Sequence, residues 1–229
     1  MRNMTKRRRY MLASEKVPRV PEEYQEVAWL RGTNTQYFRL PYHLGFSGQH
    51  FYGMTGDIEK LTGTQYSHIR IVSDYQNPSS IHYYSWGVNA VNNYCEAGLL
   101  SGSQSSNNLL RYNESLIYHF EINKNSIKIN NSILNNPAYN NTGLGDDIYV
   151  GSYVNTNGSR VVSNLDVLIK GIKLTYDDNV YCEFIPCYRK ADNKAGLFYW
   201  IDYSQGTSGF ITNSGSGSDF LVGPNIEEG

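Results

Sequence analysis

Leu165-Asp-Val-Leu-Ile-Lys-Gly-Ile-Lys-Leu-Thr-Tyr-Asp-Asp-Asn-Val-Tyr-Cys-Glu-Phe-Ile-Pro186 is the stretch that decides the fold. Leu165, Val167 and Ile169 fall at alternate positions, and after Gly171 the alternation resumes at Ile172, Leu174 and Tyr176. A period of two places one apolar face on a strand. The phase slip at Gly171 predicts a bulge or bend inside it. Asp177-Asp178-Asn179 then separates this run from a second one, Val180–Pro186, so the two read as strands of one hairpin.

The pattern recurs along the chain. In Ser115–Asn125, Leu116, Tyr118, Phe120 and Ile122 share one face, and Asn123–Ser126 is a turn before the next run, Ser126–Ile129. Asn157-Gly158 is a hairpin dipeptide. Further strands are expected at Tyr24–Leu30, Tyr37–Leu40, His50–Met54, Ser67–Ser73, Ser80–Val88, Asn93–Leu99, Leu109–Tyr112 and Asp147–Tyr153. Ser101–Asn108 reads as a surface loop. No internal repeat is visible, so the many short strands predict an all-β sandwich or barrel rather than a propeller or solenoid.

Composition agrees. The chain of 229 residues holds 20 Tyr, 21 Gly, 24 Asn and 22 Ser, more than a third of the whole. Asn, Ser and Gly favour turns, and Tyr favours half-buried pleated surfaces. No apolar run approaches the 18 or so residues of a membrane span, which predicts a soluble protein without a membrane partner. Cys95, Cys182 and Cys187 are odd in number and lack zinc spacing. They read as buried thiols, with a Cys182–Cys187 bridge left open.

Charge divides the chain. Residues 1–20 carry a net +6 and the remainder a net -7. Lys6, Arg7, Arg8 and Arg9 are followed only by Tyr10-Met11-Leu12-Ala13, too short for the apolar core of an export signal, so secretion is not expected. The acidic body and the lack of any recognition motif argue against nucleic acid. The remaining expectation is a docking tail, with Lys6 to Arg9 supplying charge and Tyr10, Met11 and Leu12 supplying burial. Pro18 and Pro21 make the segment to residue 21 an extended linker, and residues 22–229 form the globular domain.

Catalytic motifs are absent. The nearest acidic pair, Asp57 and Glu59, reads as a solvated turn, and His43, His50, His68, His82 and His119 do not cluster at metal spacing. No cofactor is expected, calcium excepted: Asp146 with Asp147, and Asp177 with Asp178, are its candidate ligands, although paired Asp is also ordinary turn chemistry. For carbohydrate, Tyr83, Tyr84, Trp86, Asn89 and Asn92 combine aromatic rings with amides, and the same alternation also fits plain core. Arg189 and Asp192 are expected to pair and fix a turn.

Two stretches resemble a known family. Glu23, Tyr24, Glu26, Val27, Gly32, Thr33, Thr35, Gln36 and Tyr37 match its opening motif. Phe184, Pro186, Cys187, Arg189, Lys190, Asp192, Asn193, Gly196, Leu197, Asn213, Gly215, Gly217, Phe220, Gly223 and Pro224 match its closing motif. Together they resemble concanavalin A-like (laminin-G-like) domains of gut bacteriophages, prophages and some gut bacterial surface proteins. The resemblance brackets residues 22–225 and leaves about 45–164 unmatched. It implies a two-sheet antiparallel jelly roll whose opening and closing segments are adjacent. It also implies a non-enzymatic virion structural or adhesion protein, such as a capsid decoration, head fibre or tail appendage. Other virion proteins would be its partners through residues 1–20, a homo-oligomer, preferably a trimer, its state, and a host-surface glycan its ligand. A bacterial surface lectin is the alternative.

Overall fold

The computed structural model describes residues 19–32, 35–47, 49–63, 69–73, 82–89, 94–101, 109–113, 117–135, 147–154, 160–162, 165–202 and 207–226. Every regular element among them is a strand, and no helix is long and apolar enough to cross a membrane. In chain order the strands are β1 (Tyr24–Glu26), β2 (Leu30–Gly32), β3 (Phe38–Leu40), β4 (Gly45–Ser47), β5 (His50–Gly63), β6 (Ile69–Ser73) and β7 (His82–Asn89). Next come β8 (Tyr94–Ser101), β9 (Leu109–Asn113), β10 (Ile117–Ile122), β11 (Ser126–Ile129), β12 (Ser132–Asn135) and β13 (Ile148–Val150). The last are β14 (Ser152–Val154), β15 (Arg160–Val162), β16 (Leu165–Tyr176), β17 (Asn179–Arg189), β18 (Lys194–Asp202), β19 (Thr207–Thr212) and β20 (Leu221–Val222).

All pairings are antiparallel. The large sheet runs β12-β11-β10-β5-β16-β17-β18-β19, the smaller one β3-β13-β6-β7-β8-β9, and β14 with β15 forms a separate ribbon. Both edges of the large sheet meet the small one, β19 touching β3 and β12 touching β9. Phe38, Leu40, Ile148 and Val150 of the small sheet and Met54, Ile58, Phe120, Ile172, Leu174 and Phe184 of the large one share a single buried cluster. The result is a sandwich-like all-β body.

The hairpin that opened the sequence analysis is the spine. Asp177 and Asp178 have φ of 45° and 66°, the left-handed pair that a two-residue turn between twisted strands requires. The expected slip is present: the register of β16 against β5 shifts between Ile169 and Gly171. There the hairpin forks. β16 pairs with β17 over Ile172–Tyr176 and with β2 over Val167–Ile169, while β17 passes to β1 from Cys187 onward. The opening segment is the wedge in this fork. Pro186 sits at the fork, where it lacks a donor and its carbonyl accepts the Val27 N–H at 3.0 Å. This explains how a proline occupies an interior strand.

Opening and closing segments are adjacent, as the resemblance implied. β2 pairs with β20, Val27 bridges Asn225, and the Ile226 N–H reaches the Glu26 carbonyl at 3.0 Å.

Several expectations change in detail. β5 runs on to Gly63 instead of ending at Met54, because it is paired on both sides by β10 and β16. Tyr24–Leu30 splits at Val27, where the wedge changes partner. Asp147–Tyr153 breaks at Gly151, whose φ is 87°. Arg19–Pro21, expected to be linker, packs on the body: Val20 is buried and the Arg19 carbonyl accepts the Trp200 Nε1–H at 3.0 Å. The Asn157-Gly158 turn and the Ser101–Asn108 loop beyond Ser101 lie outside the described residues, although the flanking β14 and β15 do pair.

Candidate functional site: a tyrosine strip beside the Asp177–Asp178 turn

The turn at Asp177-Asp178 ends the large sheet, and five tyrosines gather beside it. Tyr52 enters from β5, Tyr176 from β16, Tyr181 from β17, Tyr199 from β18, and Tyr42 from the loop after β3. Register explains the assembly: Tyr176 is opposite Tyr52, and Tyr199 is opposite Phe184. A bulge between Leu174 and Thr175 shifts the pairing around Tyr181, which packs on the main core together with Tyr42 and Tyr199.

The rings form a continuous run. Tyr199 and Tyr42 are 5.9 Å apart, Tyr42 and Tyr181 6.2 Å, Tyr181 and Tyr52 6.0 Å, Tyr52 and Tyr176 5.0 Å, and Tyr176 stacks on His50 at 5.0 Å. Phe184, fully buried, closes the inner end against Tyr42 and Tyr199. All five tyrosines are half-buried. The Tyr42 hydroxyl bonds the Cys182 thiol, and burial raises the pKa of Tyr42, Tyr181 and Tyr199. Burial also pushes the Cys182 thiol up to about 11.

At the outer end, His50 Nδ1 and Asp177 Oδ2 share a hydrogen bond of 2.6 Å, and Asp177 Oδ1 accepts the Phe51 N–H at 2.9 Å. These bonds, that to His50 first, hold the Asp177 carboxyl below its ordinary range. As a calcium ligand Asp177 is therefore already engaged by protein donors. Asp178 is exposed on the same turn, Asp147 is paired with Arg39, and Asp146 lies outside the described residues. Among the described residues no three His, Cys, Asp or Glu side chains converge as a metal group.

The other expected residues are dispersed. Asp57 pairs across the strands with His119 at 2.9 Å, and Glu59 with Lys170 at 2.7 Å. Tyr83, Tyr84, Trp86 and Asn89 lie on β7 between β6 and β8, with side chains outside the described set, as is all of Asn92. Lys6, Arg7, Arg8, Arg9, Tyr10, Met11 and Leu12 also lie outside it. Arg189 and Asp192 pair as expected, with contacts of 3.0 and 2.5 Å. That bond holds the Asp192 carboxyl down to about 2 and closes the β17–β18 turn.

Sequence reasoning missed the strip because its residues come from five separate elements. The available signal was local: Tyr176 and Tyr181 stand close on either side of the Asp177-Asp178 turn, in a chain with 20 tyrosines.

No protein-family model matches the chain. No curated protein matches it either.

Proposed function

We propose that this chain is a non-enzymatic bacteriophage virion protein, held by its basic N-terminal segment on another particle protein and presenting the sandwich outward for attachment to the host surface. The reading rests on the family resemblance, and one observation supports it above the rest: the two resembling motifs interlock. Asn213 Oδ1 accepts the Tyr37 N–H at 3.2 Å and the Gly215 N–H at 2.8 Å. The Gln36 side-chain amide donates to the Ser218 carbonyl at 3.0 Å, and Phe38 stacks on Phe220 at 4.2 Å. Gly215 must be glycine, since a Cβ there would stand 1.9 Å from the Thr35 carbonyl oxygen. Motif residues nearly 180 positions apart thus build one corner of the body, as parts of a shared scaffold do.

Two further observations fit. The split between a basic tail and an acidic body suits electrostatic docking on an acidic partner. The acidic pair closest to a glycosidase arrangement is engaged across the strands, Asp57 by a hydrogen bond with His119 and Glu59 by an ion pair with Lys170.

The test is fractionation of a phage lysate. The protein is expected in purified particles, and deletion of residues 1–18, which spares the packed Val20, should remove it from them while leaving the body folded. Recovery only from the bacterial envelope would favour the rival reading, a bacterial surface carbohydrate-binding module. Full incorporation of the truncated protein would end the docking role of the tail.

A further inference from the structure

We infer that Tyr52 and Tyr176 are a site of oxidative phenol coupling, at which a small one-electron oxidant, of the kind that peroxide and metal ions generate, joins β5 to β16 through a dityrosine bond. The inference rests on the geometry of the strip and is independent of the virion reading.

The first argument is opposition. The two residues face each other across the β5–β16 ladder, and their rings meet edge-on at 5.0 Å. Directly opposed residues have Cβ atoms about 4.5–5.5 Å apart, so both phenols hang from a fixed base. An edge-on ring turns its C–H carbons toward its partner, and the carbons ortho to the hydroxyl are the ones that couple. The other tyrosine pairs of the strip are wider, at 5.9 to 6.2 Å.

The second is connection. From Tyr52 the strip continues inward through Tyr181 and Tyr42 to Tyr199. Rings in such contact exchange electrons, so a radical formed on any of them migrates along the strip. It settles where the phenol proton can leave to water. Inward, the Tyr42 hydroxyl is bonded to Cys182, and Tyr42, Tyr181 and Tyr199 pack on the main core. Outward, the Asp177 carboxylate bonds the His50 ring that stacks on Tyr176. Negative charge there eases the loss of an electron from Tyr176.

The third is the lack of a competing sink on the strip. Cys182 touches it at Tyr42, but burial pushes that thiol up to about 11, and the readily oxidised form is the thiolate. Trp200 packs with the outer cluster of Cys187 and Phe198, apart from these rings.

The chemistry balances within the pair. Each phenol gives one electron to the oxidant and its O–H proton to water. The two radicals form one C–C bond between ortho carbons, and the two ortho hydrogens move to the oxygens, restoring both phenols. Two equivalents of oxidant are reduced and two protons are released. The product staples β5 to β16, neighbours in the middle of the large sheet. It closes a long loop of chain, the case in which a cross-link restricts the unfolded state most.

The experiment treats the dilute full chain with ruthenium(III) trisbipyridine, a one-electron oxidant, and reads dityrosine fluorescence and cross-linked peptides by mass spectrometry. A linked peptide joining Tyr52 to Tyr176 within one chain is expected. Tyr52→Phe and Tyr176→Phe keep the rings and remove the phenols, and each should abolish most of the fluorescence. Tyr149→Phe, on β13, should leave it unchanged. Unaltered thermal unfolding before oxidation shows that each variant is folded. After oxidation the wild-type chain should unfold at a higher temperature than Tyr176→Phe treated alike. The inference is overturned if no dityrosine forms, if the links join other tyrosines or two chains in place of this pair, if both Phe variants keep the full signal, or if the two midpoints coincide. Particle incorporation is scored separately and alone decides the virion reading.

Discussion

Cys182 and Cys187 stand five residues apart on β17 and occupy different worlds. Cys182 belongs to the main core between the sheets, with Phe184, Leu174 and Met54. Cys187 belongs to a small cluster with Ile185, Phe198 and Val20, flanked by Tyr24, Trp200 and Phe210. An odd spacing along a strand puts two side chains on opposite faces, so the second cluster lies on the other side of the large sheet. Both thiols are free and buried.

The two regions are closed by different means. The main core is closed by a whole second sheet. The outer cluster is closed by one short strap, in which Val20 is buried, Arg19 pairs with Glu26 and Glu183, and Tyr24 packs its ring against Phe198 and Phe210 at 4.9 and 5.0 Å. Further along the same face, Lys128–Glu121 and Lys170–Glu59 form cross-strand ion pairs and His119 shares a cross-strand hydrogen bond with Asp57. Under the strap the face is apolar and buried; beyond it, among the described residues, it carries these polar pairs, with Ile133 exposed opposite Lys128.

This contrast can be broken at its strong side first. Phe184→Ala empties a fully buried site that also supports Tyr42 and Tyr199. It should cost about 3–5 kcal/mol, read as a fall in the denaturant midpoint at unchanged slope.

Val20→Ala tests the strap. It removes two methyl groups from the outer cluster and should cost about 1–2 kcal/mol. The sharper readout is thiol labelling under native conditions. Burial pushes the Cys187 thiol up to about 12, so both native thiols should react slowly. In the variant, Cys187 should label faster while Cys182 keeps its rate. Equal acceleration of both would mean that the two regions open as one unit.

The smallest effect belongs to the exposed pair at the β17–β18 turn. Asp192 titrates at about 2 in the folded protein because Arg189 bonds its carboxylate, against an ordinary value near 3.9 in the unfolded chain. A depressed carboxyl contributes stability that is present above the unfolded value and lost as pH falls through the folded one. The thermal midpoint should therefore decline between about pH 4 and pH 2, and Asp192→Asn should flatten part of that slope. An unchanged slope would show that solvent already screens the pair.

The sequence by itself determined what depends on neighbours along the chain. Alternation in Leu165–Tyr176, the slip at Gly171, the turns at Asn123 and Asp177, and the Arg189–Asp192 pair were all legible, because period, turn chemistry and short-range charge are local. The sequence left a Cys182–Cys187 bridge open; the unbroken strand β17, which sets the two thiols on opposite faces, closes that option. Tertiary structure decided the rest. β18 and β19 were not foreseen as strands, since Gly196 and Gly209 weaken their pattern; in the sheet the Phe210 and Tyr199 rings cover those glycines. The fork that seats Pro186, the strap that buries Val20 and the strip that gathers five tyrosines each join segments far apart in the chain. No local rule specifies such meetings, because which surfaces are buried together is fixed only when the sheets close.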